Sequence, residues 1–226
     1  KAKTSKRTET AVKYYYTEDA EPQKTLRAAR ESLEYFSKTY GAYPYETYSV
    51  AQTEFCYGGM EYPALSMISS GLSEKEKNYV TAHETAHQWW YGIVGSNAAE
   101  EAWQDEGLAE YSAACFFGEY THYGIEKSAP IQSAEKEYHA YYDVYSRVFH
   151  GADTRMSRSL RDYAGDYEYR AIAYDKGLML FCALENAVGG KRTEKALRFY
   201  AEACAYKIAA PCDLIAAFEK AGTDVS

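Results

Sequence analysis

Apolar and polar positions along the 226-residue chain change their period early. Over 8–17, Thr8, Thr10, Val12, Tyr14 and Tyr16 alternate with their neighbours, as in a strand with one covered face. From Pro22 the period lengthens: Leu26, Ala29, Leu33 and Phe36 recur every three or four residues, predicting a helix that Pro22 opens and Gly41 and Pro44 stop. Segments 48–55 and 62–69 are short and β-prone, separated by an expected turn at Gly58-Gly59, so a small sheet precedes the main helices. Ser73-Glu74-Lys75-Glu76 has the form of a capping box, and Tyr79, Val80, Ala86 and Trp90 continue the helix it starts to near Gly95. Further helices are expected over 103–117, around Ile131, Ala134, Tyr138, Tyr141, Tyr145 and Val148, and over 171–188, 192–206 and 211–221. Residues 151–165 read as a long irregular connection, and Gly189-Gly190 and Pro211 as punctuation. The fold class is α+β and predominantly helical, with a small sheet in the N-terminal half, a helical C-terminal half and no internal repeat.

Composition narrows the function classes. With 46% hydrophobic and 26% charged residues the chain can bury a full core as one compact unit or two tightly packed subdomains. A net charge of −8 gives no general attraction to phosphate backbones or anionic lipid, and the basic residues cluster only loosely, over 1–7. Nucleic acid is therefore excluded as an expected partner. The longest apolar stretch, 178–184, is far short of the roughly 20 residues that span a bilayer, so no membrane contact is expected. The sequence has no initiator Met and no charged-then-apolar leader, so it is expected to be cut from a longer or processed protein. Its compartment is open between cytoplasm and cell envelope or secretion. Five scattered cysteines without a C-x-x-C pair argue against a disulfide framework or thiolate zinc site, and most are expected to be buried small hydrophobes. The 25 tyrosines are expected to pack with rings buried and hydroxyls wet.

His83-Glu84-Thr85-Ala86-His87 is the sharpest feature, because a helix sets residues i and i+4 on one face, where two imidazoles can share a metal. From the residue counts, roughly 1% of shuffled chains would contain the pattern. Glu84 lies beside that face, where such a glutamate holds a water and takes its proton in metalloproteases. A catalytic zinc usually has a third protein ligand. Glu106, on the next expected helix, can supply it if the two helices pack as an antiparallel hairpin. The alternative is a histidine-bearing buried helix beside an unrelated acidic one.

On these residues the chain resembles the zinc aminopeptidases of the aminopeptidase N and leukotriene hydrolase type, within the thermolysin-like group. Their pattern of H-E-x-x-H, eighteen residues, then E is matched by His83, Glu84, His87 and Glu106. Gln88-Trp89-Trp90-Tyr91-Gly92 looks like the family's continuation, Gly58-Gly59-Met60-Glu61 resembles its exopeptidase signature G-x-M-E-N, and Tyr174-Asp175-Lys176-Gly177 its Y-x-K-G. The resemblance implies one Zn2+ per chain, Glu84 as general base and Tyr174 as the hydroxyl that stabilises the oxyanion. It also implies Glu61 as the carboxylate that binds a substrate's free α-ammonium, with Gly58, Gly59 and Met60 where substrate backbone docks. Peptides with a free N-terminus would be the substrates. Residues 1–20 would be a remnant of a preceding domain and 21–226 the catalytic domain, with a helical subdomain from about 121. Flanking domains of the parent chain would be its partners.

Glu110, one turn after Glu106, either orients a ligand histidine or is a surface carboxylate. Gln52 and Glu54 are candidates for lining the first-residue subsite, and His122, His139 and His150 lack ligand spacing. Tyr62 stands where the family motif has Asn. An endopeptidase, a non-catalytic module that keeps the fold, and epoxide hydrolysis stay open as alternatives.

Overall fold

Residues 1–5, 9–54 and 56–222 are described by the computed structural model. A short β1 (Ala2–Lys3) pairs antiparallel with β2 (Glu9–Tyr15), and α1 (Pro22–Tyr40) crosses to β3 (Thr47–Thr53), which lies parallel to β2. Pro22 costs α1 nothing at its first position, where an amide would have no helical partner. Ala29, Leu33, Phe36 and Tyr40 form its buried stripe, as their spacing predicts. β4 (Gly59–Tyr62) and β5 (Leu65–Ser69) form an antiparallel hairpin and β5 runs parallel to β3, so the sheet order is β1-β2-β3-β5-β4.

Here the structure departs from the pattern. Gly59 opens the edge strand, and the turn falls at Pro63 and Ala64, splitting the expected 62–69 strand. Ala64 has φ 63°, a left-handed conformation that the side-chain amide of Gln88 holds from outside: its Oε1 accepts from Ala64 N at 2.7 Å and its Nε2 donates to Tyr62 O at 3.0 Å. Thr8 and Phe55, included in expected strands, lie outside the described residues.

The capping box forms: Ser73 N donates to Glu76 Oε2 at 2.9 Å, and α2 (Glu74–Ala86) follows. It stops at Ala86 rather than near Gly95, because Gly92 N returns to His87 O and Val94 N to Trp89 O in tight turns. These lead to β6 (Gly95–Ser96), α3 (Trp103–Glu119) and α4 (Ser128–Val148). The expected 171–188 helix begins earlier, as α5 (Asp166–Tyr169), and passes through a π-helical stretch (Arg170–Asp175) into α6 (Lys176–Val188). Then come α7 (Gly190–Cys204), β7 (Ile208–Ala209) and α8 (Pro211–Lys220). The two-residue pairing of β6 with β7 is too short to leave a periodic signal.

Aromatic rings fill the space between α1, the α2–β6 turns and α3. Phe36 meets Trp89 edge-on at 5.8 Å and Tyr40 meets Trp90 at 4.8 Å. Several tyrosine hydroxyls are inside the protein rather than wet: that of Tyr40 bonds Ser112 Oγ at 2.9 Å and that of Tyr48 bonds Ser66 Oγ at 2.8 Å. The cysteines also divide differently from expectation, with Cys182 and Cys204 buried, Cys115 half-buried, and Cys56 and Cys212 exposed. Among the described residues no helix is long and apolar enough to cross a membrane.

Candidate metal centre and active site

The helical period puts His83, in the last turn of α2, and His87, the residue that caps its C-terminus, one turn apart, and α3 packs on that face with Glu106 in its first turn. The Nε2 atoms of the two histidines lie 3.1 Å apart, and Glu106 Oε2 is 3.3 Å from one and 3.4 Å from the other. A tetrahedral ion with bonds of about 2.1 Å keeps its ligand atoms ~3.4 Å apart, so these three donors have the spacing that one face around a single ion would need. Glu106 Oε2 is buried with no hydrogen-bond partner, a costly state for a carboxylate unless a cation meets it.

The outer atoms support that reading. His87 Nδ1 donates to Trp90 O at 2.9 Å, which leaves its Nε2 lone pair free. His83 Nδ1 faces Glu110 Oε1 at 3.3 Å, and Tyr79 OH fixes the other Glu110 oxygen at 2.5 Å. Glu110 is thus brought to the ligand histidine, not to the surface. Two imidazoles and one carboxylate suit zinc, whereas calcium and magnesium prefer all-oxygen sets. Burial works against the Glu106 carboxylate, yet the two imidazoles beside it, His83 and His87, hold its pKa well below the usual carboxylate range.

Glu84 is buried beside these donors. One oxygen each of Glu61 and Glu84 and a ring nitrogen of His87 lie within 4.8 Å of one another, so the structure brings Glu61 to the site from β4. Burial pushes the Glu84 carboxyl up to about 7, against the pull of the two imidazoles. Gly59 packs directly on it: a Cβ there would fall 2.1 Å from Glu84 Oε1, so only glycine lets the edge strand approach this closely. Gln88 fixes that approach by tying the β4–β5 turn to the end of α2. Gln88→Leu should lower the unfolding free energy by about 1–3 kcal/mol, because it orphans Tyr62 O and Ala64 N. An unchanged urea midpoint would show that the tie contributes nothing.

Tyr174 arrives from the far side, on the π-helical stretch. Its ring stacks on His83 at 6.0 Å with 10° between planes, and Tyr169 braces it edge-on at 5.6 Å. Burial, then the Glu106 charge, hold its hydroxyl well above the ordinary phenol pKa, so it remains a proton donor. Its approach depends on α3 crossing α6 at Gly107 and Gly177: a Cβ on either would come within 2.8 Å of the other's Cα.

Other expectations resolve differently. The side-chain amide of Gln52 accepts from the amides of Thr17 and Glu18 at 3.2 Å and donates to Glu18 O at 2.8 Å, so it ties the segment after β2 to β3. Glu54 is exposed. Gly58 supports the hairpin through its carbonyl, which accepts from Ser69 N at 2.8 Å, and Met60 pairs with Met67 across it. His122 is paired with Glu31 at 3.0 Å, and His139 and His150 are exposed. Sequence reasoning missed Asp105, a buried carboxyl whose Oδ1 accepts from Glu106 N at 2.9 Å and which burial and the Glu106 charge push up to about 7. It also missed the paired glycines, whose only signal was a glycine inside each helical pattern.

The peptidase family M1 domain matches residues 24–226. Leucine aminopeptidase 2 of Emericella nidulans is 29% identical over 154 residues, covering 65% of this chain and 24% of its own length. Leucine aminopeptidase 2-2 of Meyerozyma guilliermondii is 27% identical over 161 residues, covering 62% and 24%. The chain thus spans about a quarter of the length of these curated relatives. An M1 zinc metallopeptidase from Deinococcus radiodurans superposes with a TM-score of 0.64 at 22% identity, over 91% of this chain and 42% of that one. A variant of a two-domain M1 zinc metallopeptidase, described as bound to L-arginine, superposes at 0.61 with 20% identity, over 90% and 41%.

Proposed function

Because the chain belongs to the peptidase M1 family, we propose that it is the catalytic domain of a zinc aminopeptidase that removes N-terminal residues from peptides. The observation that carries this reading is the convergence of His83 Nε2, His87 Nε2 and Glu106 Oε2 within 3.1–3.4 Å, beside the carboxylates of Glu84 and Glu61. These three donors would hold one zinc ion. Zinc, when bound, supplies Lewis acidity that brings a water's pKa from ~16 towards ~7.

The chain's own groups do the rest. Glu84 takes a proton from the attacking water at its carboxylate and returns it to the leaving amine; a value near neutrality suits both directions. Tyr174 donates its hydroxyl to the oxygen that becomes negative as the carbonyl is attacked, and its raised pKa keeps that proton in place. Glu110 orients His83 from behind. Glu61, on the edge strand, accepts the substrate's α-ammonium and leaves no room for a longer N-terminal extension. That end-recognition favours an exopeptidase over an endopeptidase. A free amino acid is the kind of product such a site releases, in keeping with the L-arginine described for a fold neighbour.

The test is hydrolysis of paired free and N-acetylated peptides by the full-length zinc-loaded protein. Free peptides should turn over and acetylated ones should not; equal cleavage of both would mean an endopeptidase. Glu61→Ala should raise KM for free-amine substrates about 10–100-fold, the worth of one charge-assisted contact, with a smaller change in kcat. Unchanged Michaelis constants would remove Glu61 from the amine pocket.

A further inference from the structure

Tyr91 ends the turn that begins at the second ligand histidine, and its backbone φ is 143°, a conformation in which a side chain is strained. The surrounding hydrogen bonds impose it. Tyr91 N donates to Val94 O at 2.9 Å, Gly92 N to His87 O at 2.9 Å and Val94 N to Trp89 O at 2.8 Å. Gly92 cannot yield, since a Cβ there would meet Gln88 O at 2.9 Å, and Trp90 is anchored through its indole N–H to Ser112 Oγ at 2.9 Å. Glycine at 91 would relieve the strain, yet the position carries a large ring.

That ring does not serve the core, because Tyr91 is 39% exposed. The turn that carries it lies against the strand of Glu61, the acid assigned above to the substrate's amine, because Gln88 Nε2 donates to Tyr62 O at 3.0 Å; burial, then the charges of Glu61, Tyr62 and Asp105, hold the Tyr91 hydroxyl above the ordinary phenol pKa. Strain maintained beside a binding pocket, under a side chain that is more than a third exposed, is explained if the ring meets a ligand.

We propose that Tyr91 is a specificity-determining residue: its ring forms a wall of the cleft on which a flat side chain of the substrate's first residue, aromatic or guanidinium, stacks. The proposal rests on the aminopeptidase reading. Stacking of a ring or guanidinium on a phenol favours such residues over alanine by about 2–10-fold.

The experiment compares Tyr91→Gly, Tyr91→Ala and Tyr91→Phe in the full-length zinc-loaded protein. Three readouts are taken: kcat/KM on phenylalanine, arginine and alanine anilides, the affinities of phenylalanine and alanine hydroxamates, and melting temperature. Tyr91→Ala and Tyr91→Gly should lower the preference for phenylalanine and arginine over alanine about 5-fold in turnover, and for phenylalanine in hydroxamate binding. Tyr91→Phe should keep these preferences. Tyr91→Gly should melt about 2–5 °C higher than Tyr91→Ala, because only glycine relaxes the backbone. Unchanged preferences in the Ala and Gly variants, or a Gly variant that melts no higher than the Ala variant, would overturn the proposal. If the wild-type protein cleaves none of the anilides, the aminopeptidase reading fails, and the hydroxamate preference alone decides the role of Tyr91.

Discussion

Glu84→Gln should lower kcat by about 10²–10⁴-fold while zinc content stays the same, because the carboxylate that takes the proton is removed and all three metal donors remain. The substitution is nearly isosteric, so the contact with Gly59 survives. Metal analysis beside anilide kinetics checks the claim, and turnover within a few-fold of wild type would sink it. The same variant has an independent stability signature in the metal-free protein. Glu84 has a folded value of about 7 against 4.5 ordinarily, so charging it opposes folding. That penalty is absent below pH 4.5 and complete above pH 7. The metal-free Gln variant should therefore match the wild type in melting temperature near pH 4 and exceed it near pH 8.

Gly177→Ala should cost about 1–3 kcal/mol of stability and about 100-fold in kcat. A methyl placed 2.8 Å from the Gly107 Cα meets backbone, which cannot rotate aside, so α3 and α6 must separate. Glu106 adjoins one side of that crossing and Tyr174 the other, so their separation changes with it. Alanine would otherwise favour a helix interior by up to about 1 kcal/mol, which makes net destabilisation a sharp outcome. Wild-type kinetics in Gly177→Ala would show that the crossing does not set the distance between ligand and hydroxyl. Gly107→Ala, entering the same contact from the other helix, should behave alike.

What could be read in advance was local. His83, Glu84 and His87 are fixed relative to one another by one helical period, and Glu106 needed only a neighbouring helix. The turn at Pro63 and Ala64 could not be read, because a side chain 24 positions away holds it. Nor could the π-helical stretch, since inserting one residue into a turn barely changes a pattern repeating every three to four positions. The tie made by Gln52 is hidden for a related reason: its place on β3 follows from the pattern, but its partners on the segment after β2 do not. The strain at Tyr91 arises from a knot of hydrogen bonds that no spacing encodes.

Five acids, Glu61, Glu84, Asp105, Glu106 and Glu110, two of them with values near 7, lie around two imidazoles, and the positive charge brought from outside would be the two units of a zinc ion and the one of a substrate's amine. Their summed potential acts well before any contact is made. On the aminopeptidase reading, a peptide approaching amino end first would be drawn inward, and one approaching carboxyl end first would be turned away. Polarity of the incoming chain would thus be sorted at a distance by charge, leaving shape to choose only among molecules that already face the right way. Raising the ionic strength should blunt that sorting through the encounter rate, not through the bond-breaking step.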